Sequence, residues 1–293
     1  MALSAALFAA MYFFAHLAST GRNVPWTLVA ATRAGIGALV AIAVAKMRGV
    51  PFVAKSTPKM WMRSAFGTIS MLCTFYATGT PDLALGDAIT LVNLAPVMLA
   101  FLAPLMLGER SGRRMAVAIP LSLAGVICIV RPAFIFGHEV ANAKMLLPAS
   151  VAIAGSFFGS IAMIMLRQVS DRESPEAIAT HFSLTAAIAM LVLSIPGVWG
   201  ARSLPGLMDF GIMVVAGLCA GFAQLAMTRA YALELAARVS PFSYLQVVVG
   251  ALLGAFALSQ WPDRLALVGM LLVIAGGVFV SIVSLREQRR RAS

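Results

Sequence analysis

Charge is missing from this chain in long blocks. No Asp, Glu, Lys or Arg occurs in 1–21, 64–81, 88–108, 115–130, 145–166, 177–201, 210–228, 239–262 or 265–285, and 26–45 is interrupted only by Arg33. A helix that crosses a bilayer needs about 20 mostly apolar residues. These blocks are too long for barrel strands and carry no alternating pattern, so they predict membrane-spanning helices. The shortest, 115–130, is flanked by Arg113, Arg114 and Arg131, whose long side chains can snorkel to the interface. Ten spans use most of the 293 residues and leave only short connectors, with no room for a soluble domain. Composition agrees. The chain is 61% hydrophobic and 11% charged, against about 25% charged in a soluble domain. Disordered, coiled-coil and ordinary soluble chains are excluded.

The net charge of +11 would suggest nucleic acid in a soluble protein. Its placement gives it another meaning. Connectors 46–63, 108–114, 167–176 and 229–238 and the tail after 285 hold 16 Lys and Arg; the alternate connectors 20–25, 80–83, 131–145, 197–209 and 259–264 hold 5. By the positive-inside rule both termini are expected in the cytoplasm. The chain begins inside its first span without a basic n-region, so no cleaved signal peptide is expected. Cys73, Cys128 and Cys219 lie in apolar spans and read as small core hydrophobes, with no disulfide framework and no metal spacing. No cofactor or metal is expected, and no P-loop marks ATP as an energy source.

The chain repeats itself. A shift of about 150 residues sets Pro25 on Pro175; a shift of 151 sets Ala124-Gly125 on Ala275-Gly276, Arg113 on Arg264 and Gly108-Glu109 on Ser259-Gln260. Five spans is an odd number, so the second copy must enter the membrane from the opposite side. The expected fold is an all-α integral membrane protein of ten transmembrane helices, two inverted five-helix repeats at 1–145 and 146–293. Inverted repeats of this kind are typical of secondary transporters, with a substrate site near the midplane. Five plus five helices, cytoplasmic termini and the Pro96…Gly108-Glu109 pattern of the fourth span resemble the EamA branch of the drug/metabolite transporter superfamily. Within it the chain is most similar to the YddG-type amino-acid exporters. The resemblance implies export of neutral or aromatic amino acids and related metabolites across a bacterial inner membrane. Its partners would be a small amphipathic substrate and the lipid bilayer, with no nucleic acid and a single chain sufficing. A nucleoside, sugar or lipophilic drug remains an alternative substrate. An intramembrane enzyme is the other class, but His16 and His181 fall near opposite faces and the spans lack the acids such chemistry needs.

Ionisable groups inside a membrane are costly and are candidate functional sites. Arg33 sits inside the second span. It could pair with Asp87 as a latch at the membrane face where His16 ends the first span; it could hold a substrate carboxylate with its planar fork; or it could be a permanent structural ion pair or snorkel outward. A neutral layer follows: Asn93 in the fourth span, Tyr244 and Gln246 in the ninth, Gln224 in the eighth and His181 in the seventh. The repeat sets Tyr244 opposite Asn93. These groups could bind a zwitterion, or simply hydrogen-bond between helices. Phe14 and Tyr76 belong to aromatic clusters that could box an apolar side chain or pack against lipid. Pro96 and Pro104 each remove a backbone hydrogen bond from the fourth span and mark a hinge or a fixed kink. Gly155-Gly159, Gly217-Gly221 and Gly250-Gly254 read as close helix packing.

Overall fold

The computed structural model describes residues 1–55, 57–95, 97–99, 102, 106, 120–121, 124–125, 127–129, 143–170, 172–195, 205–233 and 240–292. Among them the protein is helical throughout. Helix α1 spans Ala2–His16 and runs on into a π-helical turn, Leu17–Gly21. Then come α2 (Trp26–Arg48), α3 (Pro58–Thr78), α4 (Leu85–Val92), α5 (Ala143–Ser170), α6 (Pro175–Leu193) and α7 (Leu207–Leu233). A 3₁₀ turn at Ser240–Tyr244 leads into α8 (Leu245–Leu258), and α9 (Arg264–Ala292) ends the chain. Among the described residues five helices are long and apolar enough to cross a membrane: Ala2–Gly21, Trp26–Arg48, Lys144–Ser170, Pro175–Leu193 and Leu207–Ala230. The shorter helices α4, α8 and the first part of α9, Arg264–Gly276, are apolar as well.

Local sequence sets the helix ends. Thr57 and Ser174 each precede a proline at the first helical position, where its missing N–H costs nothing. Thr57 Oγ1 accepts from the Met60 N–H at 3.2 Å and Ser174 Oγ from the Ala177 N–H at 3.1 Å. Gly49 ends α2 in the left-handed region at φ 63°, a conformation that glycine adopts without a Cβ penalty.

Helix α3 packs on α5 and α6, α2 on α6 and α7, α1 on α7 and α8, and α4 on α5 and α8. The paired glycines make these contacts close. A Cβ at Gly217 would lie 2.7 Å from Cβ of Ile36, and one at Gly221 would lie 2.9 Å from Cβ of Val40, so the β-branched ridge of α2 fills the groove of α7. Gly155 and Gly159 receive Cys73 and Ser70 of α3 in the same way, and Gly250 receives Ile89 of α4. Replacing Gly221 by leucine is expected to cost about 1–3 kcal/mol through overpacking. The loss should read as a lower unfolding temperature of detergent-solubilised protein.

The outer faces are apolar. Leu184, Ile188 and Leu191 on α6, and Val215, Leu218 and Phe222 on α7, recur at helical spacing and are all exposed. A stripe like this suits hydrocarbon, not water. The protein is an integral, multi-pass membrane protein. Trp61 and Trp261 are exposed near helix ends, as interfacial anchors are, while Trp26 turns inward onto Tyr76; Trp199 lies outside the described residues.

Candidate functional site

Most of the described sequence-predicted residues fall around two centres. The first lies where α2, α3 and α6 meet. Arg33 is seven residues into α2 and only 6% exposed. Its Nη1 donates to Met71 Sδ at 2.9 Å, and Tyr12 is within its electrostatic reach. The pairing of Arg33 with Asp87 is not found: Asp87 sits in the first turn of α4, and Arg33 faces Phe182 of α6 instead. Depth in the membrane put both groups near one face, but direction around the helix axis decides contact, and α2 turns Arg33 toward α3 and α6.

Sequence reasoning missed Arg63, which it counted among the basic residues of a connector. The Thr57 cap starts α3 at Pro58, so Arg63 stands inside the helix and is 4% exposed. Its guanidinium carbon lies 4.3 Å from the centre of the Phe182 ring, and that of Arg33 lies 5.9 Å from the same centre. The two charges are therefore no more than about 10 Å apart and repel by at least about 1.5 kcal/mol at an effective dielectric constant near 20. Among the described residues neither guanidinium meets a carboxylate, and Nε of Arg33 and Nε and Nη1 of Arg63 are buried without a hydrogen-bond partner. Gly67, one turn beyond Arg63, leaves the room: a Cβ there would stand 2.5 Å from Arg63 Nη1 and 2.9 Å from Phe182 Cε2. His181 borders this centre. Its Nδ1 is 2.8 Å from Ser64 Oγ, and its ring meets Trp61 edge-on at 4.8 Å.

The second centre is the break in α4 and the 3₁₀ turn that opens α8. Helix α4 stops at Val92, and the chain turns at Asn93 and Leu94 before helical residues resume at 95. Pro96 follows at once; a proline there cannot donate to the carbonyl of residue 92. The freed carbonyls are met from α5. Ser156 Oγ lies 2.6 Å from the Leu91 carbonyl and 2.9 Å from that of Val92, and Ser160 Oγ lies 2.8 Å from the Ala95 carbonyl and 2.7 Å from that of Ser156 in its own helix. In hydrocarbon such non-helical backbone is tolerated only where protein or a cavity satisfies it. Asn93 Nδ2 donates back to the Ile89 carbonyl at 2.9 Å. Across from it the 3₁₀ turn changes to α-helix at Tyr244, which is 2% exposed and packs with Leu91 and Leu94. Gln246 and, on α7, Gln224 are buried, and Gln224 Nε2 has no partner. Phe14 rests edge-on against Phe13, and Tyr76 against Trp26. Pro96 and Pro104 themselves lie outside the described residues.

His16 belongs to neither centre. It is 1% exposed, with Nδ1 at 2.6 Å from the Thr78 carbonyl, an obligate acceptor, so Nδ1 carries the proton. Nε2 then accepts from Gln260 Nε2 at 3.1 Å, while Gln260 Oε1 accepts the Leu85 N–H at 2.9 Å. One glutamine thus ties the end of α8 to the start of α4 and the end of α1.

Among the described residues three ion pairs close the ends of the bundle. Arg22 bridges to Asp209 at the start of α7. Glu176, 1% exposed in the first turn of α6, takes Arg48 of α2 at 2.7 Å and Arg229 of α7 at 2.8 Å on one carboxylate oxygen. The Ser174-Pro175 cap is the signal that placed Glu176 inside a helix; a search for charge-free blocks assigned it to a connector.

The chain can be compared with known proteins. It is 27% identical to the pseudopaline exporter CntI of Pseudomonas aeruginosa over 85% of this chain and 84% of that protein. It is 23% identical to the riboflavin transporter of Vibrio cholerae over 97% and 92%. A solved crystal structure superposes with a TM-score of 0.68 at 20% identity, covering 97% of this chain and 98% of the other, and so shares the fold. The profile of the EamA-like transporter family matches residues 1–131 and 146–282, which accounts for nearly the whole helical bundle. With its apolar exterior and its interrupted α4, this chain belongs to that family and is a membrane transporter, not an enzyme.

Proposed function

We propose that the protein exports amino acids and related small amphipathic metabolites by alternating access. In this reading ten spans form two inverted five-helix units, 1–145 and 146–293, with both termini in the cytoplasm of a bacterial inner membrane. The observation that carries it is the break in α4 at Asn93, with a change from 3₁₀ to α-helix at Tyr244, the corresponding position of the second unit. Discontinuous helices at corresponding positions of two repeats are the best backbone pointer to a transport site. The packing supports the repeat. A shift of about 150 residues exchanges α3–α5 with α7–α1, α2–α7 with α6–α3, and α1–α8 with α5–α4, while α2–α6 and α4–α8 map onto themselves. Asn93, Gln224, Tyr244 and Gln246 supply neutral hydrogen-bonding groups, Phe14 and Tyr76 apolar walls, and Arg33 a partner for a carboxylate. Pro96 and Pro104 are the bending points, and Asp87 and His16 stand at the end that must open.

Purified protein in liposomes is expected to equilibrate radiolabelled amino acids faster than protein-free liposomes. An Arg33→Ala variant that inserts normally is expected to lose at least tenfold in that flux. Equal rates with and without protein across a broad amino-acid panel would end the amino-acid reading. Relatives named for pseudopaline and riboflavin favour a second one, a carrier of another metabolite class. The same liposomes loaded with riboflavin distinguish it.

A further inference from the structure

The arginine centre has more positive charge than a zwitterionic amino acid can use. Arg33 comes from α2 and Arg63 from α3, consecutive helices joined by a short connector, and each stands within two turns of its own helix start. Their guanidinium groups therefore arrive at Phe182 from opposite ends of the bundle. Each guanidinium carries five N–H donors in a fixed plane and remains protonated in proteins. Three of their nitrogens are buried with no partner. Met71, Phe75, Met11 and Phe182 make an apolar wall beside the pair. The α-carboxylate of a neutral amino acid would satisfy one fork, while its ammonium group would be repelled by the other.

We propose that Arg33 and Arg63, meeting at Phe182, form a binding site for a substrate with two anionic groups, so that the preferred cargo is an acidic amino acid or a related dicarboxylate. This assignment rests on the carrier reading above and names its substrate class. Each acidic group would take one guanidinium edge-on, and Phe182 would hold Arg63 in place by stacking on its cationic plane. Gly67 is part of the device, since any side chain there would occupy the position of Arg63 Nη1. A phosphate can replace a carboxylate in this chemistry.

The test is counterflow in proteoliposomes with matched pairs: glutamate against glutamine, and O-phosphoserine against serine. Glutamate is expected to exchange at least tenfold faster than glutamine, and the phosphoserine pair reports whether phosphate is accepted too. In Arg63→Gln the ratio of glutamate to glutamine flux is expected to fall toward one, and in Arg63→Lys to recover in part. Lys59→Gln, one turn earlier on α3 and exposed, is expected to keep the wild-type ratio. Binding is read separately, as protection of detergent-solubilised protein against heat by glutarate, present in the wild type and absent in Arg63→Gln. The wild-type ratios need no variant to fold. Glutamine and phenylalanine flux with glutamate tenfold slower overturns the anion site and leaves the exporter. Protection by glutarate without any amino-acid flux keeps the anion site and removes the amino-acid exporter. Neither flux nor protection overturns both.

Discussion

Replacing Glu176 by alanine is expected to loosen one end of the bundle, lowering stability by about 2 kcal/mol. The carboxylate is 1% exposed and accepts from Arg48 of α2 and Arg229 of α7, so three helices meet at one oxygen. Hydrogen bonds to charged groups each contribute about 1.5–3 kcal/mol. The figure here is below their sum because both arginines are part-exposed, at 52% and 38%, and can turn to water once the carboxylate is gone. Glu176→Gln keeps an acceptor of the same shape and is expected to lose about half as much. Thermal unfolding in detergent measures both. A double-mutant cycle with Arg229→Gln separates the coupling from side effects, and a coupling near zero would show that the contact holds nothing together. If this contact opens and closes during transport, the alanine variant also exposes α6 residues such as Thr180 to a cysteine-directed reagent, after Thr180→Cys, faster than the wild-type background does.

The second large effect belongs to the serines of α5. Ser156→Ala with Ser160→Ala removes the hydroxyl donors beside the Val92 and Ala95 carbonyls, while the Leu91 carbonyl keeps the Leu94 N–H at 3.2 Å. A buried acceptor left unsatisfied costs about 1–3 kcal/mol, and no water in the hydrocarbon replaces the lost donor. The double variant is expected to be less stable by about 2–4 kcal/mol, with each single variant contributing roughly half. Flux should fall as well, because the break at Asn93 sits between the two proposed units. Ser150→Ala is the control: the same helix and an exposed side chain bonded only to its own Leu147 carbonyl, with an expected change within about 0.5 kcal/mol. A double variant as stable as that control would mean the break is sustained some other way.

Much of the architecture was legible in the sequence because lipid imposes a simple rule: spans are long and uncharged. The same rule hid the most interesting residues. A search for charge-free blocks ends a span at the first charged residue, so Arg63 and Glu176 were assigned to connectors although both lie inside helices and are buried. The capping pairs Thr57-Pro58 and Ser174-Pro175 carried the correct boundary in both cases, and caps mark where the backbone turns helical regardless of charge. Arg33 was visible at once as an interruption of an apolar span. Its neighbours were not, since span boundaries fix depth and say nothing of rotation about the axis. The repeat sets Asn93 and Tyr244 at corresponding positions. Ser156 and Ser160 were not legible, because a serine on an apolar helix gives no sign of the carbonyls it will meet on another one.

The pair of unpartnered arginines has an electrical consequence. An empty carrier with two extra cations in its interior is a charged body inside the membrane field, where moving one elementary charge through 100 mV is worth about 2.3 kcal/mol. A negative potential inside the cell draws those cations inward, toward the state that faces the cytoplasm and can be loaded there. A bound dicarboxylate cancels both and an acidic amino acid, net −1 with its ammonium group, cancels one, so the loaded carrier crosses with less sensitivity to voltage. The potential would then act more on the return of the empty protein than on the loaded one, giving export a direction without a coupling ion.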